Sequence, residues 1–240
     1  MTQLWQRIIM RARRYGWRHT LHVLALRTVN LGVPLQIFRG VAIGRVNPAF
    51  VNYPDGYTGL FLNERMLRTL AADPGSQMSR DFVDEALSKG DQCYGLMHGT
   101  ALAAYGWYSK RPTTTGPDMR VHFSDDYVYM FKGFTHPEHR GKRLHAIGMT
   151  LALQFYLSRG YNGLVSTIES ENAESLKSSF RMGYVQFGSI YVLRLFARAI
   201  AIPTRGCAAY RFSLRPNGAL GGRALTDVTD RFGKRSEEHV

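Results

Sequence analysis

Arg140, Gly141, Lys142, Arg143, Leu144 and His145 bring three cations and a glycine to what reads as the start of a helix. They follow Tyr127 to Phe134, an alternating run rich in aromatic and β-branched residues that predicts a strand. At such a helix start, unpaired backbone N–H groups and the positive end of the helix dipole converge on one point, which suits a phosphate or pyrophosphate. A second unit lies downstream. The buried strand expected at Leu164 to Ile168 is followed by Asn172, Ala173, Glu174 and Ser175, which open another helix, and Asn172 is of the type that caps one. His136 and His139 stand three apart across a proline, and with two cysteines in the chain no complete ligand set for a metal is evident, so no metal site is expected.

The elements that must hold these residues can be read outward from them. The apolar run from about Lys142 to Arg159 predicts a buried helix closed by Gly160. The helix opened by Asn172 runs to Arg181 and stops at Met182 and Gly183, and Tyr184 to Leu195 returns as a strand. Upstream, Gln36 to Ile43 reads as a strand interrupted at Gly40, and Pro48 to Gly59 as a loop. Helices are expected over Leu60 to Leu70 and from Ser79 to Gly90. Gln92 to Met97 and Thr100 to Tyr108 form a hairpin turning at His98 and Gly99, and Pro112 to Asp126 is a polar loop. Phe196 to Ile202 fits strand or helix, and Ala208 to Leu214 reads as the last strand. From Leu4, the residues Leu4, Trp5, Ile8, Ile9 and Ala12 form one helical stripe, with Arg7, Arg11, Arg14 and Arg18 opposite. Such a helix can cover its own domain's core or lie in an anionic membrane interface. The organisation is therefore a basic amphipathic helical extension over 1–34, a main domain over 35–215 and a polar tail over 216–240.

The chain has 240 residues, 45% hydrophobic and 20% charged, enough to bury one full core. Its net charge of +13 is unevenly placed. Residues 1–54 hold eight arginines and no acid, and 175–226 hold eight bases and no acid, while the stretch between is slightly negative. A protein wrapping nucleic acid with its main body would not keep that body neutral, and no aromatic stacking platform is interleaved with the arginines, so nucleic acid is not an expected partner. With no long apolar run and early arginines, neither a spanning helix nor a signal peptide is expected, and the placement expected is cytoplasmic, with peripheral contact at the inner membrane face.

The paired units, a strand with a basic turn and helix, then a strand with Asn172, Ser175 and the Gly183-Tyr184 stop, resemble the GNAT superfamily of N-acyltransferases over roughly Gln36 to Leu214. The resemblance implies an α/β (α+β) fold with a mixed, mostly antiparallel central sheet, a splayed pair of strands and flanking helices. It implies that Phe134 and Thr135 offer backbone groups to the pantetheine arm of acetyl-CoA or another acyl-CoA, and that Arg140, Gly141, Lys142, Arg143, Leu144 and His145 cradle its pyrophosphate. Asn172 would hydrogen-bond the cofactor and Ser175 would sit close by. Arg143 and His145 replace small loop residues of the family pattern, and Phe180 stands where many members place a tyrosine that protonates the leaving thiolate.

The reaction so implied moves an acetyl or other acyl group to the amine of a small molecule or amino sugar. Glu169, just after the buried strand, and His136, of the residue type most used for proton transfer, are the candidate bases. Two alternatives accompany it: transfer of a long acyl chain from an acyl carrier protein met by the arginine-rich N-terminal helix, and a catalytically silent module of the same fold that binds acyl-CoA or an anionic membrane surface.

Overall fold

The alternating run that begins at Tyr127 forms the nine-residue strand β7 (Tyr127–Thr135), and β8 (Gly163–Glu169) lies beside it in parallel, joined to it by α5 (Leu144–Leu157). The computed structural model describes residues 2–116, 119–195 and 198–217. Before β7 come α1 (Thr2–Tyr15), α2 (Trp17–Val29), β1 (Leu35–Ile43), β2 (Tyr57–Phe61), α3 (Glu64–Ala71), α4 (Arg80–Lys89), β3 (Gln92–His98), β4 (Ala101–Ser109), β5 (Thr113–Thr115) and β6 (Met119–His122). After β8 come α6 (Ala173–Met182), β9 (Val185–Leu195), β10 (Arg198–Pro203) and β11 (Ser213–Pro216).

The described strands form an eight-stranded sheet in the order β10-β9-β1-β8-β7-β4-β3-β2 and a three-stranded sheet, β11-β6-β5. Pairings in the large sheet are antiparallel except that of β7 with β8. This is the mixed, mostly antiparallel α/β architecture expected from the sequence. The parallel pair joins only at Tyr127–Gly163, Val128–Leu164 and Tyr129–Val165. A buried hydrogen bond from Ser166 Oγ to the Met130 carbonyl (2.8 Å) is the next bridge. On the other edge of β7 the register against β4 shifts where Tyr108 faces Met130 and Trp107 faces Lys132, leaving Phe131 as an extra residue. A bulge bends its strand and increases its twist, so β7 turns at the point where its ladder to β8 ends. Among the described residues, no strand pairs with the β8-facing edge of β7 from Phe131 to Thr135.

Packed apolar clusters on both faces hold this sheet. α5 is buried over most of its length and sets Leu153 and Tyr156 against Val41, Val128, Met130 and Leu164. On the opposite face the small sheet covers Ala42, Tyr129, Val165, Ile190 and Val192 with Val121, Phe212 and Leu214. Helices α3 and α4 close the far end, where Leu67, Phe82 and Val83 meet Trp107 and Phe134. Each such side chain contributes about 1.5–3 kcal/mol through burial.

Several expectations are corrected by local chemistry. The N-terminal helix is two helices, broken at Gly16, whose φ of +87° only glycine adopts at low cost. The helix expected from Leu60 begins at Glu64, because Asn63 Oδ1 accepts the Met66 N–H (2.9 Å), and Leu60 and Phe61 belong to β2, which also takes Tyr57 to Gly59 from the expected loop. The polar loop over 112–126 contains β5 and β6, whose Thr113 and Val121 are buried, and the strand expected at Ala208 is a 3-10 turn over Arg205–Tyr210 followed by β11. Gly40 does not interrupt β1 but carries a register shift against β9, and the Phe187 ring lies over it. The ambiguous stretch before Ile202 is β10 from Arg198, while Phe196, Ala197 and 218–240 of the expected tail lie outside the described residues.

Gly163 fixes where β8 starts. Its φ is +150°, and a Cβ there would sit 2.1 Å from the Ile43 carbonyl oxygen. Gly163→Ala is therefore expected to cost at least about 2 kcal/mol, read as a lowered midpoint in urea unfolding.

Candidate cofactor groove

The gap opened by β7 and β8 is part of a groove of about 690 Å³. Gly133, Phe134 and Thr135 on β7 form one wall, and Glu174, Ser175, Lys177, Ser178, Ser179 and Arg181 on α6 form the other. Arg140, Gly141 and His145 close one end, and Arg14 and Tyr15, from the last turn of α1, complete the lining.

α6 is held at its start by Asn172, whose Oδ1 accepts the Ser175 N–H at 3.0 Å. The expected cap is thus present, and Asn172 itself does not line the groove. The start of α5 is displaced from Lys142 to Leu144, since Gly141 (φ +81°) and Arg143 (φ +59°) both take left-handed backbone. Arg143 O is the first helical acceptor, receiving the Ile147 N–H at 3.1 Å. The N–H groups of Leu144, His145 and Ala146 precede any intrahelical acceptor and are available at the helix start. A side chain at φ +59° is strained by about 1–2 kcal/mol, which explains why a small residue suits this position.

Arg14, Arg140, Lys177 and Arg181 give the groove four cations against one carboxylate, Glu174. Glu174 Oε1 accepts from the Tyr15 hydroxyl at 2.7 Å and pairs with the Arg14 guanidinium, so the acid is engaged and the excess positive charge faces the opening. His145 lies between the walls: a Cβ on Gly133 would fall 2.5 Å from its Cε1, so only glycine at 133 admits the ring. Burial pushes the His145 imidazole down to about 4, leaving it neutral at pH 7.

The expected site residues divide into two groups. Phe134, Thr135, Arg140, Gly141, His145 and Ser175 converge on the groove. Lys142 turns to Tyr57, its Nζ donating to the hydroxyl at 2.8 Å, and Tyr57 in turn reaches His139 Nδ1 at 2.8 Å. Arg143 is exposed and Leu144 is buried in a core cluster with Ile147, so neither lines the groove. The two candidate bases also stand outside its lining. Glu169 ends β8 opposite Phe38, with burial and then neighbouring Glu171 raising its carboxyl pKa. His136 donates its backbone N–H to Ala103 O at 2.8 Å, and its Nδ1 lies 3.9 Å from Glu138 Oε2. His136, Glu138 and His139 place potential ligand atoms within 4.8 Å of one another, a closeness not read from their spacing, but the Tyr57 contact engages His139 and Glu138 is exposed.

Phe180 points out of the groove and is 46% exposed, and Tyr184 is buried in the core as its strand position implied. The α6 hydroxyls that line the groove are those of Ser175, Ser178 and Ser179, the last of them next to Phe180 in the chain. Lys177, Ser178, Ser179 and Arg181 went unassigned in the sequence, although helical spacing carried the signal: Glu174, Lys177, Ser178 and Arg181 fall at i, i+3, i+4 and i+7 of a capped helix. For Arg14 and Tyr15 no local pattern pointed to the groove.

No family model matches the chain, and no curated protein matches it by sequence. Among solved structures it is similar to a GCN5-related N-acetyltransferase-like protein from Streptococcus suis 89/1591, with 13% identity and a TM-score of 0.47 over 73% of this chain and 67% of that one. It is also similar to a putative acetyltransferase from the GNAT family of Novosphingobium aromaticivorans DSM 12444 (14% identity, TM-score 0.46, 75% of this chain and 64% of that one). A GCN5-related N-acetyltransferase from Sphaerobacter thermophilus gives 15% identity and a TM-score of 0.48 over 71% and 55%. The matched region spans between about half and two thirds of those chains.

Two outcomes follow from the groove's local chemistry. The unfolded chain holds a proton on His145 below about pH 6.5 that the folded chain releases down to about pH 4. Stability therefore falls on acidification across that window, and His145→Gln should flatten this part of the profile in urea melts taken at successive pH values. Arg143→Gly relieves left-handed strain and is expected to raise stability by roughly 0.5–1 kcal/mol, after allowing for the glycine's looser unfolded state, as a higher midpoint in thermal unfolding.

Proposed function

We propose that the chain is an N-acyltransferase of the GNAT type that takes its acyl group from acetyl-CoA or another acyl-CoA and delivers it to the amine of a small molecule or amino sugar. The observation that carries this reading is the unpaired edge of β7 at Phe131 to Thr135, facing α6 and leading to a helix start flanked by Arg140 and Gly141. An extended amide-bearing arm can add to such an edge as a strand would, and a diphosphate fits the N–H groups of Leu144 and His145. The cradle passes a steric test, since a Cβ on Gly141 would meet nothing within 4 Å. Arg140, Lys177 and Arg181 supply the counter-charge.

In the reaction, the nitrogen lone pair of a neutral amine attacks the thioester carbonyl, the C–S bond breaks, and the amine's proton goes to a base while the thiolate gains one. Glu169, its carboxyl raised by burial, and His136 remain the base candidates, and water or Ser179 would serve the thiolate in place of a phenol. A second reading has a specific observation in its favour: α6 presents no phenol to the groove and the Tyr15 phenol that lines it is tied to Glu174, which suits a module that binds acyl-CoA without turning it over.

Calorimetric titration with acetyl-CoA separates these readings from failure of both. Arg140→Ala and the pair Lys177→Ala/Arg181→Ala should each weaken binding by about tenfold or more, and Arg143→Ala should leave it nearly unchanged. Release of free thiol with a panel of small amines and amino sugars supports the enzyme. Binding without thiol release for any acceptor, with long-chain acyl-CoA and an acyl carrier protein thioester included as donors, supports the silent module, and no binding of any acyl-CoA ends both.

A further inference from the structure

α2 is apolar on two sides. Val23 and Leu26 point inward and are buried, whereas Trp17 and Leu21, one turn apart, point outward and are 56% and 59% exposed. The turn that follows leaves Val29, Leu31 and Val33 exposed, and α1 ends its own apolar stripe with Ala12 buried but Trp5 60% exposed. Of the two uses open to the N-terminal stripe, covering the domain's own core accounts for Ala12, which is buried, and Ile8, which is half-buried, but not for Trp5 and Ile9, which are exposed. Both helices are anchored to the domain by polar contacts with the loop and helix after β8: Arg11 to the Glu171 carbonyl, Arg14 and Tyr15 to Glu174, and His22 to Ser170 Oγ at 2.9 Å. What remains outward is tryptophan, leucine and arginine. Arg7, Arg13, Arg18 and Arg27 are exposed, and no acid occurs before Asp55.

We propose that this helical hairpin docks the protein on an anionic lipid bilayer, with Trp17, Leu21 and Trp5 entering the interface and the exposed arginines meeting lipid phosphates. Charge decides the occupant. A second copy would bring the hairpin's six arginines against six more, and a nucleic acid would leave Leu21, Val29 and Leu31 in water. An anionic bilayer takes both the apolar side chains and the cations. Contact is interfacial, since no described helix is long and apolar enough to cross a membrane. The proposal is independent of the groove's ligand, although α1 contributes to both surfaces.

The experiment uses the full chain with vesicles of phosphatidylcholine alone and of phosphatidylcholine mixed with phosphatidylglycerol. Of the three tryptophans, Trp107 is fully buried, so tryptophan emission reports on Trp5 and Trp17. Expected results are flotation with the anionic vesicles, release by salt, a blue-shifted emission and quenching by brominated lipid. Arg7→Glu/Arg13→Glu/Arg18→Glu should weaken flotation by more than about tenfold, and Trp5→Ala/Trp17→Ala/Leu21→Ala should remove it, both with unchanged circular dichroism. Quenching and salt release in the unsubstituted protein test the idea even where a variant fails to fold. Absence of flotation with anionic vesicles, equal binding to phosphatidylcholine alone, persistence of binding in both folded variants, or capture of an acidic carrier protein without vesicle binding would each overturn it.

Discussion

The parting of β7 from β8 after Tyr129 is the constraint on which the rest depends. A strand buried inside a sheet normally satisfies its backbone on both edges, and β7 does so on one edge only from Phe131 onward. The open edge is tolerated because Phe131, as a bulge, turns the strand and because α6 stands opposite, leaving a groove lined largely by polar and charged side chains instead of an apolar void. Gly163 lets β8 start tight against Ile43, Ser166 bridges to Met130, and Gly133 makes room for the His145 ring. Each of these small features would be a defect in an ordinary sheet, and together they set the groove's width.

Charge around that groove is assembled from elements far apart in sequence. Arg140 comes from the loop before α5, Lys177 and Arg181 from α6, and Arg14 from an N-terminal helix that belongs to no strand layer. Glu174 restrains Arg14 and Tyr15, so the one lining acid serves to fasten α1 more than to neutralise the groove. The charge of the basic flanks thus has two placements. Part of their charge lines the groove, and part stays outward beside exposed tryptophan and leucine.

Much of the frame was legible. The β7 alternation, the apolar α5, the hairpin turning at Gly99 and the Asn172 cap were read from periodicity, turn and capping chemistry, because these features depend on residues no more than about four apart. Boundaries slipped where a cap outweighed an apolar run, as at Asn63, and where strands β5 and β6 owe their burial to β11 nearly a hundred residues later. Phe180 and Ser179 differ by one position on a helix, a rotation of about 100°, and that step decides which of them faces the groove.

By itself the sequence determined that a basic, glycine-bearing turn opens a buried helix after an alternating strand, and that a capped helix follows the next strand. Those are local statements, set by backbone propensity and side-chain type within a few residues. Only the tertiary structure decided that Lys142 bonds Tyr57 while Lys177 and Arg181 turn to the groove, that Glu169 and His136 stand outside its lining, and that α1 reaches in with Arg14 and Tyr15. The reason is geometric: a side chain's direction depends on where its whole element packs, and that packing is fixed by partners remote in the chain.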